Sequence, residues 1–340
     1  MINLLITGGS GYVGTRLINR LIKKEKINII NYDISFFGDS HLPNVNNFFH
    51  YKKDLRDVNS FKKIIIEKNI DTVLHLACIS NDPTFELNSE ISKEINFTAF
   101  EPLVKTSKEN GVKKFIYAST CSVYGVSDSP DVTEDHPLIP ITDYNKYKAL
   151  CEPVLTKYLD NKFAGIIIRP ATICGFSEKM RFDVTVNILT NFAYNKNFIK
   201  VFGGQQKRPN LHIDDMCRLY EYLIFNDISN FNGEIFNVGQ ENLKIIEIAE
   251  KIKNIMKKRF GKEIEIKIEP SSDLRSYQIN SDKSIKVLNF SYEKNVEDAI
   301  NDLIEAFEQN KIQDSFSEKW QNISVLKKID EDTTFFKTKI

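Results

Sequence analysis

"TGGSGYVG", residues 7–14, follows the apolar run "INLLIT" (2–7) and leads into a stretch of helical periodicity marked by Val13, Leu17, Ile18, Leu21 and Ile22. In such a strand–turn–helix the glycines at 8, 11 and 14 have separate tasks. One allows a sharp turn, one lets the backbone approach a diphosphate, and one lets the helix pack closely on the strand. The helix N-terminus offers unpaired N–H groups and the positive end of a dipole, which suits an anion. Asp33 closes the next strand candidate, "INIINYD" (27–33), roughly twenty residues later, where a carboxylate accepts hydrogen bonds from an adenosine ribose. That carboxylate would repel a 2′-phosphate, and Ile34 and Ser35 bring no arginine to hold one. NAD is therefore expected rather than NADP, with Gly8, Gly11, Tyr12, Val13, Gly14 and Asp33 in its site.

Outward from this turn the same rhythm continues. Strand candidates at 46–51, 71–77, 113–119 and 163–169 alternate with helical stretches such as Phe61, Ile64, Ile65 and Leu103, Val104. The expected fold is α/β, a Rossmann-like doubly wound parallel sheet over residues 1–170. After 170 the rhythm loosens. A strand at 233–239, a helix over 243–258, a strand at 263–268 and a helix at 295–310 suggest a smaller C-terminal α/β substrate lobe over 171–310, with some segments returning to the core. Residues 311–340 hold the only tryptophan, Trp320, and no assignable motif.

"TDYNKYKA" (142–149) carries two tyrosines and two lysines. In a helix capped by Thr142 or Asp143, Tyr144 and Lys148 share a face, whereas Tyr147 and Lys148 point apart and Lys146 lies off it. A tyrosine ionises near 10 in water, too high for a good base. The Lys148 ammonium and a positive nicotinamide ring are expected to pull that value down. Ser119 and Thr120 leave the fifth strand at its carboxyl edge, where such folds place ligands.

Composition narrows the classes. The chain has 340 residues, 41% of them hydrophobic, and its 46 basic and 46 acidic side chains balance. No global field points to nucleic acid, and "KIKNIMKKRFGK" (251–262) reads as the solvated face of a helix. Five scattered cysteines with no C-x-x-C pair suggest a reducing compartment and no structural metal. With no basic leader and no apolar run long enough for a bilayer, a cytoplasmic location is expected.

Taken together, "TGGSGYVG", "YD" (32–33), "DLRD" (54–57), "HLAC" (75–78), Asn96, "STCSVYG" (119–125), "YNKYK" (144–148), "RPATICG" (169–175) and "RPNLHIDD" (208–215) resemble the extended short-chain dehydrogenase/reductases, in particular the nucleotide-sugar epimerases and dehydratases. The resemblance runs from residue 2 to about 305. It implies that Asp54 and Leu55 flank the adenine and that Leu76, Ala77 and Cys78 line the cofactor trough, with Asn96 and Pro170 also at the cofactor. It makes Thr120, Tyr144 and Lys148 the catalytic triad. It also implies a nucleotide-diphosphate sugar as substrate and a homodimer or higher homo-oligomer.

Arg208 and Arg275 resemble the arginines that grip the diphosphate, for which a planar guanidinium is suited. "MRFDVTVN" (180–187) resembles a segment of enzymes acting on bacterial surface sugars, including GDP-heptose C4 dehydrogenases, and makes Arg181 and Asn187 candidate substrate contacts. His212 reads as structural. Two departures stand out. Where the 4,6-dehydratases carry an acidic pair, this chain has Cys121 and Ser122, which makes elimination of water unexpected. Pro153 falls inside the catalytic helix and should kink it. Three readings remain open: a 4-epimerase in surface polysaccharide biosynthesis, a C4 dehydrogenase releasing the keto sugar, and a non-catalytic NAD sensor.

Overall fold

The computed structural model describes residues 1–271 and 276–332. Its strands are β1 (Ile2–Thr7), β2 (Ile27–Asp33), β3 (Phe48–Lys52), β4 (Thr72–His75), β5 (Lys114–Ala118), β6 (Ala164–Pro170), β7 (Thr172–Cys174), β8 (Phe198–Phe202), β9 (Lys207–His212), β10 (Ile235–Val238), β11 (Glu241–Lys244) and β12 (Glu265–Glu269). Seven of them form one sheet in the order β3-β2-β1-β4-β5-β6-β10, and every pairing in it is parallel.

Period-two alternation divides the core. Leu4, Ile6, Ile166 and Ile168 point to one face, where Leu17, Ile18 and Leu21 of the helix Tyr12–Leu21 and Leu219 and Leu223 of the helix Ile213–Phe225 cover them. Leu5, Val73, Phe115 and Ile167 point to the other, under Phe61, Ile64 and Ile65, Leu103 and Val104, and Cys151 and Leu155 of the helix Asp143–Tyr158. With both faces covered, the strands read as nearly continuous apolar runs.

The second lobe has its own core of Val186, Leu189, Ile199, Val201, Ile248, Ile252, Met256, Ile300 and Ile304. Its strands form two small sheets, β11-β9-β7 and β12-β8. The basic cluster lies on the helix Ile245–Phe260, whose cations meet local acids: Lys251 reaches Glu297 at 2.7 Å, Lys257 reaches Glu263 at 2.6 Å and Arg259 reaches Glu308 at 2.7 Å. Residues 311–332, which periodicity leaves unassigned, include a helix at Asn322–Asp332. Among the described residues no helix is long and apolar enough to cross a membrane.

The helix Asp143–Tyr158 starts where its cap signals place it, with the Thr142 hydroxyl accepting a hydrogen bond from the Asn145 N–H at 3.4 Å. It runs on through Pro153 to Tyr158, five residues past the proline.

Candidate active site

Two clefts meet at the carboxyl edge of the main sheet. The first runs over the β1 turn and the ends of β2 and β4, where strand order reverses and such sheets bind ligands. Gly8, Gly11, Tyr12, Val13, Gly14, Asp33, Asp54, Leu55, Leu76, Ala77, Cys78, Tyr144, Lys148 and Pro170 line it. The second lies between the sheet edge and the smaller lobe, and Thr120, Arg181 and Arg208 are in its walls. Tyr12, Val13, Ser119, Tyr144, Pro170 and Arg181 line both, so they form the partition between them.

The glycine turn is built for close approach. Gly8 sits at φ +77°, and a Cβ there would lie 2.6 Å from the Ala77 backbone; at Gly14 it would lie 2.5 Å from the Gly9 Cα. The helix Tyr12–Leu21 has no acidic residue in its first turn to compete with an anion. Asp33 accepts from the Ser10 N–H at 2.9 Å and the Ser35 N–H at 2.7 Å, so it pins the turn as well as facing the cleft. Burial raises its carboxyl above the ordinary value, against those two hydrogen bonds. A buried Asn31, which no motif signals, holds the Gly9 N–H at 3.0 Å. This shaped, anion-ready trough suits a dinucleotide.

Two candidates lie off the clefts. Asn96 spends its side-chain amide on Ile79, accepting from the N–H at 2.8 Å and donating to the carbonyl at 2.9 Å, so it fixes the backbone beside the cleft and does not line it. Asn187 is fully buried. It accepts from the Gly175 N–H at 3.0 Å and donates to the Tyr12 hydroxyl at 3.2 Å and the Arg181 carbonyl at 2.9 Å, which leaves it holding wall residues and not a substrate. Arg275 lies outside the described residues. His212 is in neither cleft. Its Nδ1 accepts from the Asp214 N–H at 3.0 Å, and its ring abuts Asp302. That group of His212, Asp214 and Asp302 already holds a cation, the Lys294 ammonium, 3.0 Å from Asp214 and 2.8 Å from Asp302.

The "YNKYK" question resolves by packing. Tyr147 stacks between Phe85 and Phe97, with ring centroids 5.7 and 5.4 Å away, and Lys146 is exposed. Tyr144 and Lys148 face the cofactor cleft. Lys148 is buried, its ammonium donating to the Ala118 carbonyl at 2.6 Å and lying 5.0 Å from the Tyr117 ring centre.

Around Tyr144 the protein's own groups oppose the phenolate. The phenol is pushed well above the ordinary value, not below it. Burial is the largest cause, Cys78, Asp82 and Tyr277 add to it, and the cation opposing them is Arg181. Desolvation disfavours the phenolate, and the Lys148 ammonium is committed to the Ala118 carbonyl. Arg181 is anchored for this position: its Nε donates to Asp183 at 2.6 Å, and Asp183 also accepts from the Asn81 amide at 3.2 Å. "MRFDVTVN" marks Arg181 as a candidate substrate contact, and the structure puts its side chain in the wall of both clefts.

Beneath Lys148 sits His75, buried against Phe100, Phe115 and Tyr117, its Nδ1 3.0 Å from the Thr7 hydroxyl. Burial, and then the Lys148 charge, push its pKa down to about 3. It is neutral when folded, while an unfolded histidine takes a proton near 6.5. Stability should therefore fall as pH drops between those values, by up to roughly 1.4 kcal/mol per unit from this group. Urea unfolding across that range tests it, and His75→Gln should flatten the slope.

The substrate side has a polar relay. The Thr120 and Ser122 hydroxyls are 2.9 Å apart, and Ser122 donates to the side-chain amide oxygen of Asn145. Ser119 donates to Glu152 at 2.6 Å. Asp82 and Asp183 put two carboxylates in this cleft.

Residues 4–239 match the NAD-dependent epimerase/dehydratase family model. The chain belongs to that family, and NAD is its cofactor. Its relatives include a dTDP-D-glucose 4,6-dehydratase of Dictyostelium discoideum, 30% identical over 74% of this chain and 62% of that protein. A dTDP-4-dehydro-6-deoxyglucose reductase of Escherichia coli is 28% identical over 75% of this chain and 82% of the other. Among solved structures, the UDP-glucose 4-epimerase of Thermotoga maritima with UDP-glucose superposes at a TM-score of 0.81, with 22% identity, over 91% of this chain and 99% of that one. The UDP-glucuronic acid 4-epimerase of Bacillus cereus, in complex with UDP-glucuronic acid and NAD, gives 0.80, with 23% identity, over 91% and 100%. These two share the fold.

Proposed function

We propose that this family member is a nucleotide-sugar 4-epimerase that works through a 4-keto intermediate. The observation that carries the reading is the position of Tyr144 in the wall common to both clefts, where a hydroxyl can reach a sugar carbon and the nicotinamide end of a dinucleotide together. When bound, NAD supplies the hydride acceptor and a positive ring. Tyr144 takes the proton of the C4 hydroxyl as the C4–H bond gives up its hydride, and Thr120 orients that hydroxyl. Arg208, in the substrate wall, is suited to the diphosphate. Once the keto sugar has turned and is reduced on its other face, Tyr144 would give the proton back to the C4 oxygen.

Epimerisation is favoured over dehydration by Cys121. Burial pushes its thiol up to about 12, so at neutral pH it is no acid or base for the C5–C6 elimination. A C4 dehydrogenase would use the same residues but would have to release the keto sugar and reduced cofactor. Incubation with a panel of UDP-, dTDP- and GDP-sugars separates the two. The expected result is a C4 epimer with no build-up of NADH; NADH formed in step with sugar consumed would overturn it.

Arg181→Gln tests the electrostatics of the base. The phenol must lose its proton to act, so activity rises with pH through its pKa. Without the opposing guanidinium that rise should move to higher pH, with kcat near neutrality lowered by less than removal of Tyr144 itself would cost. The pH profile of kcat is the measurement; an unmoved profile with a raised KM would assign Arg181 to substrate anchoring alone.

A further inference from the structure

The last described segment of the chain passes from the smaller lobe to the nucleotide side of the cofactor cleft. On the smaller lobe, Ser315 accepts from the Asn191 amide at 3.2 Å, and the Trp320 carbonyl accepts from the Phe182 N–H at 2.9 Å. The Lys179 ammonium donates to the Lys319 carbonyl at 3.1 Å and lies 5.7 Å from the Trp320 ring centre and 4.9 Å from that of Phe37, a lining residue of the cleft. On the nucleotide side, the helix Asn322–Asp332 packs on the short helix Asp82–Phe85. Leu326, 2% exposed, enters the core cluster of Leu55, Ile79 and Ile95, itself the floor of the cleft. Between these two anchorages Asn322 lines the cleft, its amide 3.4 Å from the Ser80 hydroxyl.

We infer that residues 313–332 are a strap across the dinucleotide cleft, that Asn322 is a cofactor-binding residue carried on it, and that the strap retains NAD between hydride steps. A dinucleotide in the cleft lies beneath a chain fastened to both lobes, so departure requires one fastening to open. The nucleotide-side fastening includes one buried leucine, the partly buried Ile329, a long hydrogen bond and the packing on Asp82–Phe85. Such local opening costs less than global unfolding, which makes it a gate and not a lock. The amide of Asn322 offers donors and an acceptor, the complement of the hydroxyl- and phosphate-rich length of a dinucleotide. The inference rests on NAD dependence and deepens the epimerase reading, since an enzyme that returns the hydride gains by keeping its cofactor through each turnover.

The full chain is tested in two ways. Hydrogen exchange with and without NAD should show the amides of 322–332 slowed at least tenfold by the cofactor. Stopped-flow displacement of bound NADH should be at least tenfold faster in Leu326→Ser and severalfold faster in Asn322→Ala than in the wild type. If Leu326→Ser does not fold, as judged by circular dichroism, Asn322→Ala and the exchange data decide. Release rates unchanged within twofold, or no NAD-dependent protection of the strap, would overturn the inference. Neither readout involves a sugar, so a failure of the epimerase reading would leave this result standing, and the reverse.

Discussion

Tyr144→Phe is expected to lower turnover by about a thousandfold, the scale of a general acid–base contribution. The substitution keeps the ring that lines both clefts and removes only the hydroxyl. NAD affinity should change by no more than about tenfold, because one hydrogen bond is worth about 1 kcal/mol net. Lys148 will not replace the lost group: its ammonium is held on the Ala118 carbonyl and is a donor only. Turnover and cofactor titration on the same preparation separate loss of chemistry from loss of the site. Turnover within tenfold of the wild type would remove Tyr144 from the role of base.

Glu152→Ala should cost about 3–5 kcal/mol of folding stability, the range for breaking a buried ion pair from one side. Glu152 and Arg169 are 4% and 3% exposed and meet at 2.6 and 3.0 Å in a two-pronged contact. The same carboxylate accepts from Ser119, while Arg169 donates to the Tyr124 hydroxyl at 2.7 Å, which in turn donates to Asn237 at 2.6 Å. Removing the carboxylate leaves a guanidinium in the core without its counter-charge and frees a serine of the cleft partition. Urea unfolding of the cofactor-free variant measures the loss, and a value under 1 kcal/mol would mean that water or a neighbour replaces the carboxylate. Glu152→Gln, which keeps the acceptor oxygen, should lose less.

Local signals made much of this site legible. The glycine turn, Asp33 and the Tyr144/Lys148 spacing depend on backbone conformation within a few residues, and the structure gathers them into one cleft. Polar side chains in motifs were harder to interpret. Asn96 and Asn187 carry groups that suit a ligand as well as a backbone, and only their complete burial and paired partners show that they brace the walls. The ionisation of Tyr144 was unreadable for another reason: Cys78 and Asp82, Arg181, and Tyr277 reach it from three separate parts of the chain. Asn322 is more distant still, 242 positions from the Ser80 it touches, in a segment whose single buried leucine leaves no periodic trace.

A single turnover of the NAD-loaded enzyme with a nucleotide hexose deuterated at C4 tests the central claim most directly. Removal and return of one hydride in one closed site predicts a transient of reduced nicotinamide and a C4 epimer that keeps its deuterium, with none exchanged into solvent. Deuterium lost to water, or inversion with no reduced cofactor ever formed, would contradict it.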